Sequence, residues 1–279
     1  MNHTCPYRFG IYEKALKPQP LPLMFADAAR AGYDTFEISL DETDARLDRL
    51  NWPLSRIIET RDAANNQGVQ LFSACFSGHR KFALGSADKA TEKRAVHLMQ
   101  TGIEFCWKLG IRVLQITGSD VFYEPHTEET EKRYCHNLAA GVEMASQAGV
   151  MLAIEPVEDY ITSIHKAMQI VRKINSPWLQ VYPDAANLAA MGFNPVSELE
   201  LSRGHIVGLH IRDAKPGTSY NIPWGSGILD FFAVFKQLKK MNFNCPIIVE
   251  LWHEQDDDYL QNAVHSREYL IQKYHESEK

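Results

Sequence analysis

The chain has 279 residues and carries 29 Lys+Arg against 35 Asp+Glu, a formal net charge of −6 at pH 7 with His neutral. That balance argues against a general binder of nucleic acid or anionic membrane, whose affinity rests largely on a basic surface. With 45% hydrophobic and 23% charged residues the chain is too apolar for intrinsic disorder, and its length admits either two average domains or one α/β barrel.

The opening stretch MNHTCPYRFGIYEK has no continuous apolar run and no small-residue cleavage pattern, so no secretory signal is expected. No apolar run approaches the roughly 18 residues a membrane span needs. Short runs rich in β-branched and aromatic residues then follow at 8–12, 33–39, 69–76, 113–117, 150–155, 179–183, 205–211 and 246–251, each a predicted strand. Helical spacing occupies 23–31, 88–109, 128–148, 164–174, 230–241 and 258–274, several of these preceded by a Ser, Thr, Asn or Asp able to cap a helix. Gly32, Gly68, Gly110 and Gly149 punctuate the helix-to-strand joints, where a left-handed residue ends a helix.

Alternating βα units imply a mainly parallel sheet with right-handed crossovers, and eight of them closing on themselves give a (β/α)8 TIM barrel. Neither G-x-G-x-x-G after the first strand nor G-x-x-x-x-G-K-[ST] occurs, so the nucleotide-binding versions of an open sheet lack support. With no Pro/Gly/Ser-rich linker, residues 1–279 read as a single domain. Cys5, Cys75, Cys106, Cys135 and Cys245 are odd in number and never spaced C-x-x-C, which suits free thiols in a reducing, cytoplasmic compartment.

In such a barrel the chemistry sits at the C-terminal ends of the strands. The last four predicted strands each close on a metal-ligand type: Glu155 in MLAIEP, Asp184 in QVYPDAAN, His210 in IVGLHIRD and Glu250 in IIVELW. A single strand-end carboxylate is usually a helix cap or a solvated charge. Four on consecutive strands, which lie about 5 Å apart, suggest convergence on one divalent cation, Zn, Mn, Co or Mg. His205, earlier on the same predicted strand as His210, is expected to be a satisfied core histidine. A cation bound to a ketone oxygen and a neighbouring hydroxyl acidifies the C–H between them; with Glu155 and Glu250 as acid and base on opposite sides, the arrangement suits epimerisation.

Cations that could hold a phosphate cluster on the loops following strands three and seven. SGHRKF places His79, Arg80 and Lys81 together, and HIRDAKPG adds Arg212 and Lys215. Gly225 and Gly227 could offer backbone N–H groups to an anion, although turn glycines are the simpler expectation. Trp224 and Trp252 are expected to pack.

The motifs GIYEKAL (10–16), EISLDETDARLDRLNW (37–52), SGHRKFALGS (77–86), YPDAANL (182–188), HIVGLHIRDAKPG (205–217) and WGSGILDF (224–231) resemble the L-xylulose-5-phosphate 3-epimerase family, also called hexulose-6-phosphate isomerase, among the metal-dependent sugar-phosphate isomerase/epimerase barrels. The resemblance runs nearly end to end. It implies one cation on Glu155, Asp184, His210 and Glu250, and the two glutamates as acid/base residues. The implied substrate is a small sugar phosphate, with L-xylulose 5-phosphate and L-ribulose 5-phosphate as the pair in pentose or L-ascorbate catabolism. It also implies a homodimer with no nucleic-acid or membrane partner, and Asn187 of YPDAANL joins His79, Arg80, Lys81, Arg212 and Lys215 as expected substrate or phosphate contacts. Ala185 and Ala186 replace a glycine-bearing motif, and EPVEDYITS (155–163) is shorter than its family counterpart. Both departures bear on the pocket wall more than on the ligands. The alternatives are an aldose–ketose isomerase or a 3-epimerase of another ketose or hexulose 6-phosphate. Abasic-site DNA cleavage on the same barrel would need three metals and more early-strand ligands, for which Glu37 and His79 are the obvious candidates, and a basic face that the net charge does not favour.

Overall fold

The computed structural model of the chain describes residues 5–157, 160–253 and 258–279. In chain order the elements begin with β1 (Phe9–Tyr12), α1 (Leu21–Arg30), β2 (Thr35–Ser39), α2 (Asp44–Leu47), α3 (Leu54–Asn66), β3 (Gln70–Phe76) and α4 (Lys89–Leu109). They continue with β4 (Val113–Thr117), α5 (Glu128–Ala148), β5 (Met151–Glu155), α6 (Ile164–Ile174), β6 (Leu179–Val181), α7 (Ala185–Ala190) and α8 (Pro195–Leu201). The last are β7 (Leu209–Ile211), β8 (Asp213–Lys215), β9 (Thr218–Ile222), α9 (Phe231–Lys240), β10 (Ile247–Val249) and α10 (Tyr259–Ser277).

The expected strand 113–117 and helices 128–148 and 164–174 coincide with β4, α5 and α6. Their ends carry strong local signals. Thr127 and Thr130 form a reciprocal capping box at the start of α5, Ser163 caps α6, and Gly149 and Asn175 close these helices in left-handed conformations. Each such N-cap contributes about 1 kcal/mol. The remaining joint glycines, Gly32, Gly68 and Gly110, also have positive φ. The expected strand 205–211 shortens to β7, because Gly204 has φ 83° and the His205 N–H turns back onto the Ser202 carbonyl. His205 is half-buried, a correction to its expected place in the core. Helix α3 has no clear sequence signal: Ile57, Thr60 and Ala64 form a buried stripe too narrow to stand out among its polar residues.

Two compact units account for the chain. One comprises Met1–Glu37, Ala63–Gln70 and Pro183–Lys279, the other Ile38–Asp62 and Leu71–Tyr182. In the first, β7, β10, β1 and β2 form a parallel ladder, with Ile211 opposite Val249, Val249 opposite Ile11 and Ile11 opposite Phe36. A short antiparallel hairpin of β8 and β9 stands beside it. In the second, β3, β4, β5 and β6 form a parallel ladder in chain order. Strands β1, β2, β4 and β10 are buried along their whole length, as parallel strands covered on both faces must be. The first unit's interior includes an edge-to-face pair of Phe25 and Phe36, centroids 5.0 Å apart, and the second buries Phe76, Leu114, Leu152 and Tyr134. Among the described residues no helix is long and apolar enough to cross a membrane.

Candidate metal and substrate site

Register brings three of the expected ligands together in the first unit. The backbone of Asp184 bridges that of His210 in parallel fashion, with the His210 N–H donating to the Pro183 carbonyl at 2.9 Å. His210 stands opposite Ile248 across the β7–β10 pair, and the Glu250 N–H donates to Ile211 just beyond it. Side chains two residues apart on a strand share a face, so Arg212 lies one step above His210 and Glu250 one step above Ile248. The ligand atoms of Asp184, His210 and Glu250 lie within 4.8 Å of one another, and all three side chains are buried.

Each is also held. Asp184 Oδ1 caps α7 by accepting from the Ala186 N–H at 2.7 Å, so an expected ligand also fills the ordinary role of a strand-end aspartate. Its carboxyl is pushed above the usual range, chiefly by burial, against the pull of Arg212. His210 Nε2 lies 2.7 Å from Glu37 Oε1 and Nδ1 lies 3.4 Å from Glu250 Oε2. Arg212 reaches Asp184 Oδ2 at 2.6 Å, donates to Glu250, and donates to Asn187 Oδ1 at 2.9 Å and Ser219 Oγ at 3.1 Å. Its guanidinium stands 4.7 Å from the centroid of the Trp252 ring. Asn187 is therefore a strut for Arg212, also accepting from Ser219 Oγ at 2.7 Å.

Three buried carboxyl groups, Glu37, Asp184 and Glu250, share one guanidinium and one imidazole here. An acid-rich buried set calls for further positive charge, and oxygen donors with one imidazole suit an open divalent site. The residues present fit a divalent cation.

The loop after the hairpin answers a different question. Asp213 Oδ2 accepts from the Gly225 and Gly227 N–H groups at 2.9 and 3.0 Å, and its Oδ1 accepts from Leu229 N at 3.3 Å. The G-x-G segment thus cradles an anion, and the anion is the chain's own aspartate. A Cβ on Gly227 would fall 2.1 Å from Asp213 Oδ1 and 2.2 Å from the Ala214 carbonyl oxygen, which requires glycine there. Trp224 packs as expected, donating to Ser266 Oγ at 2.8 Å. Lys215 is exposed at the end of β8.

In the second unit Glu155 closes β5, is buried, and accepts a hydrogen bond from Gln115 Nε2. His79 is buried at the turn after β3; its Nε2 donates to the Ala95 carbonyl at 3.2 Å and its ring packs 4.4 Å from that of Phe76. Burial pulls its pKa from 6.5 down to about 4, so the ring is neutral and brings no positive charge to that loop. Arg80 is half-buried over Phe122, and Lys81 is exposed, 3.9 Å from Asp44. Within EPVEDYITS, Glu158 and Asp159 lie outside the described residues.

Glu37, Gln115 and Ser219 carry contacts to these side chains that strand-end logic did not select. Glu37 alone had a visible signal, as the acid inside the buried strand FEIS.

Residues 25–273 match the xylose isomerase-like TIM barrel family. The chain belongs to that family. The barrel's match runs through segments of both units, and the alternating strands and helices described above are those of a (β/α)8 fold. The chain is 40% identical over 264 residues to the L-ribulose-5-phosphate 3-epimerase UlaE of Escherichia coli (strain K12), covering 94% of this chain and 93% of that protein. Among solved barrels it resembles an L-ribulose 3-epimerase with TM-score 0.81 at 19% identity, covering 98% of this chain and 96% of that one. A D-allulose 3-epimerase from Methylomonas sp. superposes with TM-score 0.80 at 17% identity, over 98% of this chain and 100% of the other, a likeness of fold.

Proposed function

We propose that the protein is a metal-dependent 3-epimerase of a ketopentose 5-phosphate that interconverts L-xylulose 5-phosphate and L-ribulose 5-phosphate. The observation that carries this is the buried set of Asp184, His210 and Glu250 on adjoining strands, in a chain 40% identical to a named L-ribulose-5-phosphate 3-epimerase. Glu155 is assigned as the fourth ligand: it is buried and closes β5, and a (β/α)8 barrel gathers the C-terminal ends of its strands on one face. One divalent cation on these four residues, when bound, polarises the ketone and offsets the charge that develops on its oxygen.

The protein's own groups handle the proton. One of Glu155 and Glu250 takes it from C3 and the other returns one to the opposite face, which inverts that carbon. Arg212 fixes the Glu250 carboxylate, and Asn187, Ser219 and the Trp252 ring fix Arg212 in turn. The phosphate is assigned to Arg80, Lys81 and Lys215, which are half-buried or exposed cations, with Asn187 and Arg212 toward the sugar. His79 serves by shaping its loop. The two early-strand residues that a multi-metal nuclease would need are otherwise engaged, Glu37 with His210 and His79 with Ala95.

Incubation of the Mn2+-loaded protein with L-xylulose 5-phosphate, followed by NMR of the products, tests the proposal. L-ribulose 5-phosphate with about one bound metal per chain is expected. An aldose product, or no conversion of any ketose phosphate, overturns it.

A further inference from the structure

We infer that Glu37 is a positioning residue for the metal centre: its carboxylate keeps the proton of His210 on Nε2 and so turns Nδ1, with its lone pair, toward the cation. This rests on the metal site proposed above.

Neutral imidazole carries one N–H and one lone pair, and the partner of one nitrogen decides the role of the other. His210 and Glu37 are both wholly buried, with Nε2 to Oε1 at 2.7 Å, so water does not compete for either atom. Nδ1 faces the opposite way, 3.4 Å from Glu250 Oε2, inside the set formed with Asp184. The Tyr12 ring lies beside the imidazole at 6.4 Å between centroids, tilted by 42°, and Tyr12 is the residue opposite Glu37 in the β1–β2 register. The imidazole therefore stands between Glu37 and the other acids, which makes Glu37 a support for a ligand. A carboxylate behind a ligating histidine fixes the ring and raises its basicity, and losing such a partner typically lowers metal affinity about 10- to 100-fold.

The test is titration of the metal-stripped full chain with Co2+, read from its visible absorption, for the natural protein, Glu37→Gln and Glu37→Ala. Circular dichroism and Tm are recorded for each. Glu37→Gln keeps the shape and an acceptor oxygen without the charge, so it is expected to bind Co2+ several-fold more weakly, and Glu37→Ala about 10- to 100-fold more weakly. A role in folding alone would lower Tm without producing this order of affinities in the folded protein. Folded variants that bind Co2+ as tightly as the natural chain, with an unchanged spectrum, overturn the inference. If Glu37→Ala does not fold, Glu37→Gln alone decides on the same criterion. Failure of the natural chain to take up Co2+ contradicts the metal site itself, an outcome separable from failure of the role given to Glu37.

Discussion

Arg212 Nη2 lies 2.6 Å from Asp184 Oδ2, and the same guanidinium donates to Glu250, so one buried cation ties together two strand-end acids. Removing one partner of a buried ionic set typically costs about 3–5 kcal/mol, because the remaining charges lose their compensation. Arg212→Met, which keeps the apolar stem, is expected to destabilise the metal-free protein by about that amount in urea unfolding. Mn2+ should restore more stability to this variant than it adds to the natural chain, since the ion supplies the missing positive charge. Equal stabilisation of both by Mn2+ would contradict the account.

Glu155→Gln and Glu250→Gln each remove a group proposed above for proton transfer and for binding the metal. Each is expected to lower kcat by at least about 10²- to 10⁴-fold, the usual contribution of general acid–base catalysis. Far-ultraviolet circular dichroism should remain unchanged. Retained turnover in either variant would refute the two-carboxylate assignment.

His79 gives the stability a defined pH dependence. Its pKa in the folded protein is about 4, against 6.5 ordinarily. Above about pH 6.5 the ring is neutral in both states and costs nothing; as pH falls toward 4 the unfolded chain binds a proton that the folded one refuses. Stability should therefore decline across that window by up to about 3 kcal/mol. Urea midpoints measured between pH 7 and pH 4 for the natural chain and for His79→Gln check this, the variant being expected to show the shallower decline.

The Asp213 cradle can be probed at its tightest point. Gly227→Ala must displace either the Asp213 carboxylate or the Ala214 backbone, at a cost of about 3 kcal/mol, the upper range for overpacking. Gly68→Ala meets no atom within 4 Å and should cost only about 1–2 kcal/mol, for its positive φ. Similar thermal shifts in the two variants would argue against the cradle.

Legibility in the sequence followed the range of the forces involved. Helices α5 and α6 could be read to the residue because their caps act within one turn. Asp184, His210 and Glu250 could be read because each ends an apolar run, and parallel register converts chain position into proximity. The hairpin of β8 and β9 and the narrow stripe of α3 gave no comparable periodicity. The basic cluster SGHRKF looked uniform in sequence, yet α4 covers His79 with the Ala95 carbonyl and leaves Lys81 in solvent. Likewise the simpler expectation for G-x-G, ordinary turn glycines, does not reveal that the Gly225 and Gly227 N–H groups hold the Asp213 carboxylate. Glu37 was visible as an acid in a buried strand, but its pairing with His210 spans 173 positions and depends on the ladder order β7, β10, β1 and β2.

In the proposed reaction this chain breaks and remakes the C3–H bond of a ketopentose phosphate. The most direct measurement is proton NMR of L-xylulose 5-phosphate incubated in D2O with the Mn2+-loaded protein, then freed of the ion before recording. Deuterium entering at C3, with the signals of L-ribulose 5-phosphate growing in, is the predicted result. Exchange confined to C1, or no exchange at any carbon, would contradict the account.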